Sequence, residues 1–196
     1  MVPGWLGWWA LQFFYEHSRE WEFKNQTSNA RPLTHAAGLV FCHHKAPIHR
    51  ITRLGHDLAS LAKTRSKTNL LAYQILESFD HAGPDRDHLI RLRQQRCPRN
   101  IDHLDLLVAG DKMASITEHM KAVKNEFPRN KLHAIAQSLV SDSGERGAGA
   151  APGISTAETE LSPAAQKHLA DLSGCFPHES VRWLHLAELW DYVDSF

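Results

Sequence analysis

The run Arg53-Leu54-Gly55-His56-Asp57-Leu58-Ala59-Ser60-Leu61 is the stretch of this chain that most resembles a signature. It sets a histidine beside a carboxylate, three residues after an arginine. Arginine and histidine together suit phosphate chemistry. The guanidinium neutralises phosphate charge, and the imidazole moves a proton near neutral pH. Two such pairs are compactly spaced: Arg50 precedes His56 with five residues between, and Arg96 precedes His103 with six. The first pair overlaps the signature run, and Pro98 stands inside the second. The densest basic cluster is Arg86, Arg91, Arg93, Arg96 and Arg99. It is suited to nucleic-acid phosphates, but no aromatic residues are interleaved with it to stack on bases.

Histidine is abundant, at 14 residues, so metal binding has to be considered. His35, Cys42, His49 and His56 recur every seven residues. On one helix that interval rises about 10.5 Å, too far for neighbours to share one zinc. No two histidines stand three or four residues apart, and there is no Cys-x-x-Cys. The expectation is therefore no metal site and no cofactor. Cys42, Cys97 and Cys175 are odd in number and far apart, which implies no disulfide framework and a reducing compartment.

Two family resemblances follow from these residues. His56-Asp57, with His35, His43 or His44 upstream and Asp102, Asp105 or Asp111 downstream, is similar in content to the HD-domain phosphohydrolases. That likeness implies a divalent metal that activates water. The stretch Ala37 to Ala46, a short connection, and the run Arg53 to Leu61 with its Gly-His-Asp-Leu core resemble the HEPN family of small helical bundles. This second resemblance implies an all-α fold that binds RNA or a nucleotide, in a toxin–antitoxin or defence setting. It also implies that Gly55 opens a helix which His56 and Asp57 help to cap. In the ribonuclease branch, an arginine and a histidine at short spacing act without metal, which here means Arg96 with His103 or Arg50 with His56.

Charge is unevenly distributed along the chain. Residues 1–42 hold three Lys/Arg and three Asp/Glu, residues 43–131 hold 16 and 10, and residues 132–196 hold three and nine. A basic middle and an acidic tail either attract each other within the fold or leave the middle to bind an anion. No apolar run approaches the roughly 20 residues that span a bilayer. The apolar start, Met1 to Leu11, lacks a basic leader and a small-residue cleavage site. A cytoplasmic location is expected, with no membrane partner.

These residues need elements to position them. The apolar spacing predicts helices throughout and no strand, so the expected class is all-α. Trp5, Trp9 and Phe13, or Trp8, Leu11 and Tyr15, form an aromatic face on a first helix. Leu33, Ala36, Ala37, Val40 and Phe41 read as a second helix after Pro32, and Leu54 to Leu61 as a third that continues to Leu71, Ile75 and Phe79. Asp85 to Gln95 forms a basic helix, and Asn100 caps another through Ile101, Leu104, Leu107 and Val108. Further helices carry Ile116 to Phe127 and Leu132 to Leu139, with Pro128 between them. The organisation expected is a helical bundle over residues 1–140, a Gly/Ala/Ser-rich linker over 141–156, and a helical hairpin over 157–196 that begins at Ser162-Pro163. Trp183, Leu186, Trp190 and Val193 line one face of the last helix. With the aromatic N-terminus, that face offers a rival reading: a non-enzymatic module that docks a protein partner or a second copy of itself.

Overall fold

The computed structural model describes residues 4–23, 31–65, 68–76, 85–98, 101–141, 154, 161–176 and 178–193. Among them lie the helices α1 (Gly4–His17), α2 (Ile48–Arg65), α3 (Arg86–Arg96), α4 (Met113–Lys124), α5 (Arg129–Ser141), α6 (Pro163–Asp171) and α7 (Glu179–Leu189). The strands are β1 (Glu22–Phe23), β2 (Arg31–Pro32), β3 (Ala36–Phe41), β4 (Leu70–Ile75) and β5 (Val108–Ala109). The all-α expectation is overturned: β1 and β2 form a two-stranded ribbon, and β3, β4 and β5 form a three-stranded sheet in that order. The chain divides into two compact units, Met1–Ala82 with Leu107–Ala114, and Gly83–Leu106 with Ser115–Phe196. The helices beyond the expected linker thus fall in the same unit as α3 and α5. Most of the linker itself lies outside the described residues.

The first unit is built on a βαβ crossover. β3 and β4 run parallel, from Ala36 opposite Leu70 to Phe41 opposite Ile75, with α2 as the connection that parallel strands require. β5 pairs antiparallel on the other side of β4, with Leu70 opposite Ala109 and Leu71 opposite Val108. Both long strands lie in segments whose spacing reads as helix. Ala36 to Phe41 is a short apolar run, for which periodicity alone does not separate strand from buried helix. In β4, Leu70 to Gln74 are all buried. A strand covered on both faces shows no alternation, so its sequence lacks the usual mark of a strand.

The packing of α2 on the sheet is set at two glycines. A Cβ on Gly38 would lie 2.0 Å from the Gly55 carbonyl oxygen, 2.8 Å from Ala59 N and 2.9 Å from Leu58 Cβ. Strand backbone therefore meets helix backbone with no side chain between them. Leu54, Leu58, Leu61 and Ala62 then bury the inner face of α2, each leucine contributing on the order of 2 kcal/mol. Gly55 stands in the middle of α2, whose first residue is Ile48. It does not open the helix, and His56 and Asp57 are not its caps.

Helix α1 buries Trp8 and Tyr15 in the same unit and leaves Trp9 and Phe13 exposed, at 41% and 46%. The Tyr15 hydroxyl donates to the Leu70 carbonyl at 2.8 Å, and burial pushes its pKa well above the ordinary phenol value. The Tyr15 ring lies against Gly110, where a Cβ would come within 2.7 Å of it.

In the second unit the described residues are helices and turns. Asp85 caps α3 by accepting from His88 N at 2.9 Å, and Ser162 caps α6 by accepting from Ala165 N at 3.2 Å, with Pro163 in the first turn. Ile116, Met120, Val123, Phe127, Leu132, Ile135 and Leu139 are buried in its core. The helix expected through Ile101, Leu104, Leu107 and Val108 does not form: the chain makes a 3-10 turn over His103–Leu106 and then enters β5, and Asn100, the expected cap, lies outside the described residues. In α7 and the turn after it, Trp183, Leu186, Trp190 and Val193 are all buried, and Trp183 packs on Phe127 with ring centroids 5.8 Å apart. That face completes the core of its own unit and is not open to a partner.

The two glycines give opposite expectations in urea unfolding. Gly38→Ala lowers stability by about 3 kcal/mol, because the clash is with backbone that no side-chain rotation can relieve. A Cβ on Gly55 meets only the Gly38 carbonyl oxygen, at 4.0 Å. Gly55→Ala therefore leaves stability unchanged or raises it by up to about 1 kcal/mol through helix propensity. Equal losses in the two variants would contradict this packing.

Candidate nucleic-acid interface

Beyond β3 the chain turns through Cys42–Pro47 into α2. Ala46 N donates to the His43 carbonyl at 2.9 Å and Lys45 N donates to His43 Nδ1 at 3.3 Å, which closes a tight turn. The turn presents His43, His44 and Lys45 to solvent, with the two imidazole rings 4.1 Å apart. Pro47 lends its carbonyl to Arg50 N and Ile51 N, at 3.0 and 3.2 Å, and so starts the helix.

Because α2 buries Leu54, Leu58, Leu61 and Ala62 on one side, its other side is dictated. His49, Arg53, His56, Ser60 and Lys63 stand at i, i+4, i+7, i+11 and i+14, and all are exposed. Arg50 is exposed on the flank of this stripe and Arg65 at its end. Residues 43–65 hold Lys45, Arg50, Arg53, Lys63 and Arg65 against the single acid Asp57, a surplus of 5 − 1 = +4. The result is a straight, solvent-facing row of cationic and imidazole side chains on a rigid helix. Beside the turn, burial raises the thiol pKa of Cys42.

The sequence-predicted residues distribute unevenly over the structure. Arg50 and His56 both lie on this exposed surface of α2. Six helical residues separate them by about 9 Å of rise and a third of a turn, so their side chains do not converge on one point. Arg96 ends α3 and pairs with Glu188 of α7. The His103 ring nitrogen Nδ1 lies 3.3 Å from Gln94 Oε1 and 3.1 Å from Asp102 Oδ1. Each member of that pair is thus held by its own partner. Arg93 is only 3% exposed and its guanidinium donates to the Leu106 carbonyl at 3.4 Å, so it is not a surface phosphate ligand. Arg86 and Arg91 are exposed, and Arg99 lies outside the described residues. Among the described residues, the fully exposed members of the cluster expected on α3 are thus Arg86 and Arg91. Cys97 at its end is buried, and burial pushes its thiol up to about 11.

For the HD-type reading, His56 points to solvent, and His35 packs edge-on against Phe14 and Trp21 at 4.9 and 5.8 Å. The grouping with metal-compatible spacing among the described residues is a different one: His119, His168 and Asp171. Its local signal is faint, a His and an Asp three residues apart on α6. Its third member comes from α4, 49 residues away from His168. No family model, curated protein or solved structure matches this chain.

Arg93 and Arg96 act inside the second unit, on His185 of α7. Burial first, then the charges of these two arginines, push the His185 pKa down to about 3, and the neutral ring stacks on Phe176 with centroids 4.6 Å apart. The unfolded chain takes up this proton below about pH 6.5, and the fold resists it until about pH 3. Stability from this group is complete above pH 6.5 and is lost as pH falls through that window, by about 1.4 kcal/mol per pH unit. Urea midpoints measured from pH 7 to pH 5 should show this slope in the wild type, and a slope smaller by one proton in His185→Phe.

Proposed function

We propose that this protein binds RNA through the exposed face of α2 and the His43–Lys45 turn. The observation that carries the reading is the exposed, mainly basic row opposite the buried face of α2, with one acid against five cations over residues 43–65. The row from His49 to Lys63 is about 21 Å long, which spans several backbone phosphates. A polynucleotide uses that length; a single nucleotide does not. Exposed imidazoles supply flat surfaces on which bases stack, and the arginines add cation–π contact. The HEPN resemblance implies the same ligand class, although the run that carries it lies in a crossover helix. The arrangement supports binding; for cleavage, neither Arg50 with His56 nor Arg96 with His103 brackets a common phosphate.

The test is the salt dependence of single-stranded RNA binding. Each phosphate contact contributes roughly 0.7 to the slope of log affinity against log salt. Arg50→Ala with Arg53→Ala should weaken binding and flatten that slope by about 1.4, while Arg86→Ala with Arg91→Ala on α3 leaves it unchanged. Loss of binding in the α3 variant alone would move the interface away from α2.

A second reading rests on α1. Trp9 and Phe13 stack with centroids 5.6 Å apart, and Trp21 and Phe23 are exposed at 49% and 59%. Such aromatic exposure supports a contact with a protein partner or a second copy of the chain. If so, Trp9→Ser with Phe13→Ser, which replaces two exposed residues, abolishes concentration-dependent association in sedimentation velocity without changing the circular dichroism spectrum. A wild type that stays monomeric at every concentration removes the homodimer form of this reading.

A further inference from the structure

The geometry points to a zinc-binding site formed by His119 of α4 with His168 and Asp171 of α6. The Nδ1 atoms of the two histidines face each other at 2.9 Å, with ring centroids 5.2 Å apart. One ligand atom from each of the three residues lies within 4.8 Å of the others. Two bare imidazole lone pairs aimed at one another repel, so this arrangement requires a positive centre between them, either a proton on one ring or a metal ion. Asp171 brings an oxygen donor to the same point, and a divalent cation there gains both a third ligand and charge balance.

The helices present the ligands without distortion. His168 and Asp171 are three residues apart on α6 and so share one face. On α4, His119 stands one turn after Ser115, whose hydroxyl oxygen lies 3.8 Å from Cys175 Sγ just beyond α6. α4 therefore meets this segment at two successive turns, which holds the two histidines in register. Both histidines are half-buried and Asp171 is exposed, giving two fixed nitrogen ligands, one oxygen ligand at the rim, and a side open to solvent. Nitrogen ligands at zinc distances in tetrahedral geometry stand about 3.3 Å apart. Opening the observed pair by about 0.4 Å, a small side-chain rotation, accommodates the ion. Two imidazoles and one carboxylate suit zinc among the common divalent ions and leave its fourth position for water. This site lies in the second unit and does not depend on RNA binding by α2.

Chelator-treated full-length protein, dialysed against zinc chloride, should take up one zinc at this site. The uptake is lost in His119→Ala and His168→Gln, and weakens on the order of tenfold or more in Asp171→Asn. Zinc raises the wild-type Tm in a concentration-dependent way, and this rise is absent from His168→Gln. Nitrogen-15 NMR of histidine-labelled wild type reads the site directly, as zinc displaces two Nδ1 resonances together. Circular dichroism checks each variant, and Asp171→Asn, at an exposed position, keeps the comparison informative where His119→Ala fails to fold. No zinc uptake by the wild type, or uptake undiminished in folded His168→Gln and Asp171→Asn, overturns the proposal and leaves a histidine pair that shares a proton only.

Discussion

The first unit depends on the close approach of Gly38 in β3 to Gly55 in α2. At 2.0 Å between a would-be Cβ and a carbonyl oxygen, no other residue fits at position 38 without moving the helix off the sheet. That contact fixes how near α2 lies, and with it which of its faces is inward. Leu54, Leu58, Leu61 and Ala62 follow from this on the buried side, and His49, Arg53, His56 and Lys63 on the open side. The Gly-His-Asp-Leu run therefore joins two roles that are independent of each other. Its glycine and leucine serve packing, and its histidine belongs to the surface row.

The basic middle and acidic tail of the sequence resolve into two physical situations. In the second unit the opposite charges meet: Arg96 with Glu188, Arg129 with Asp191, and His178 near Asp105 at 3.9 Å. Where Arg93 has been drawn into the interior, it is held by a main-chain carbonyl, and its charge and that of Arg96 add to the burial that keeps His185 neutral. Self-attraction thus accounts for Arg96 at the end of α3. It does not account for α2, where five cations over residues 43–65 face one acid. Surface charge kept exposed in this way disfavours the compact state slightly through self-repulsion, which an anionic ligand would relieve.

What could be read in the sequence followed from local physics. The Ser162-Pro163 start of α6, the buried positions of α2, α4 and α5, and the break at Pro128 all express a helix with one apolar face, and each is where its spacing put it. The strands were illegible for an equally definite reason. β4 is buried on both faces, and β3 is a short apolar run that begins four residues after Pro32, so neither shows a two-residue period. Parallel pairing is a non-local property, and it overrode a helical pattern that was real but weak. The same holds at the level of sites. The α2 row was visible as separate Arg and His residues without its geometry. The His119–His168–Asp171 cluster depends on a helix pairing that no spacing rule encodes.

A crossover helix is a favourable place for such a row. In a βαβ unit the connection is held at both ends by paired strands, so α2 cannot rotate about its axis without breaking the contact at Gly38 or the register from Ala36–Leu70 to Phe41–Ile75. Long cationic side chains ordinarily lose much of their entropy when they bind. Here the backbone beneath them is already fixed, and the turn at His43–Lys45 extends the row past the helix start by hydrogen bonds of its own. A ligand of this row would then have only side-chain rotamers to order. The sheet, which carries none of these groups, thereby fixes the placement of those that do.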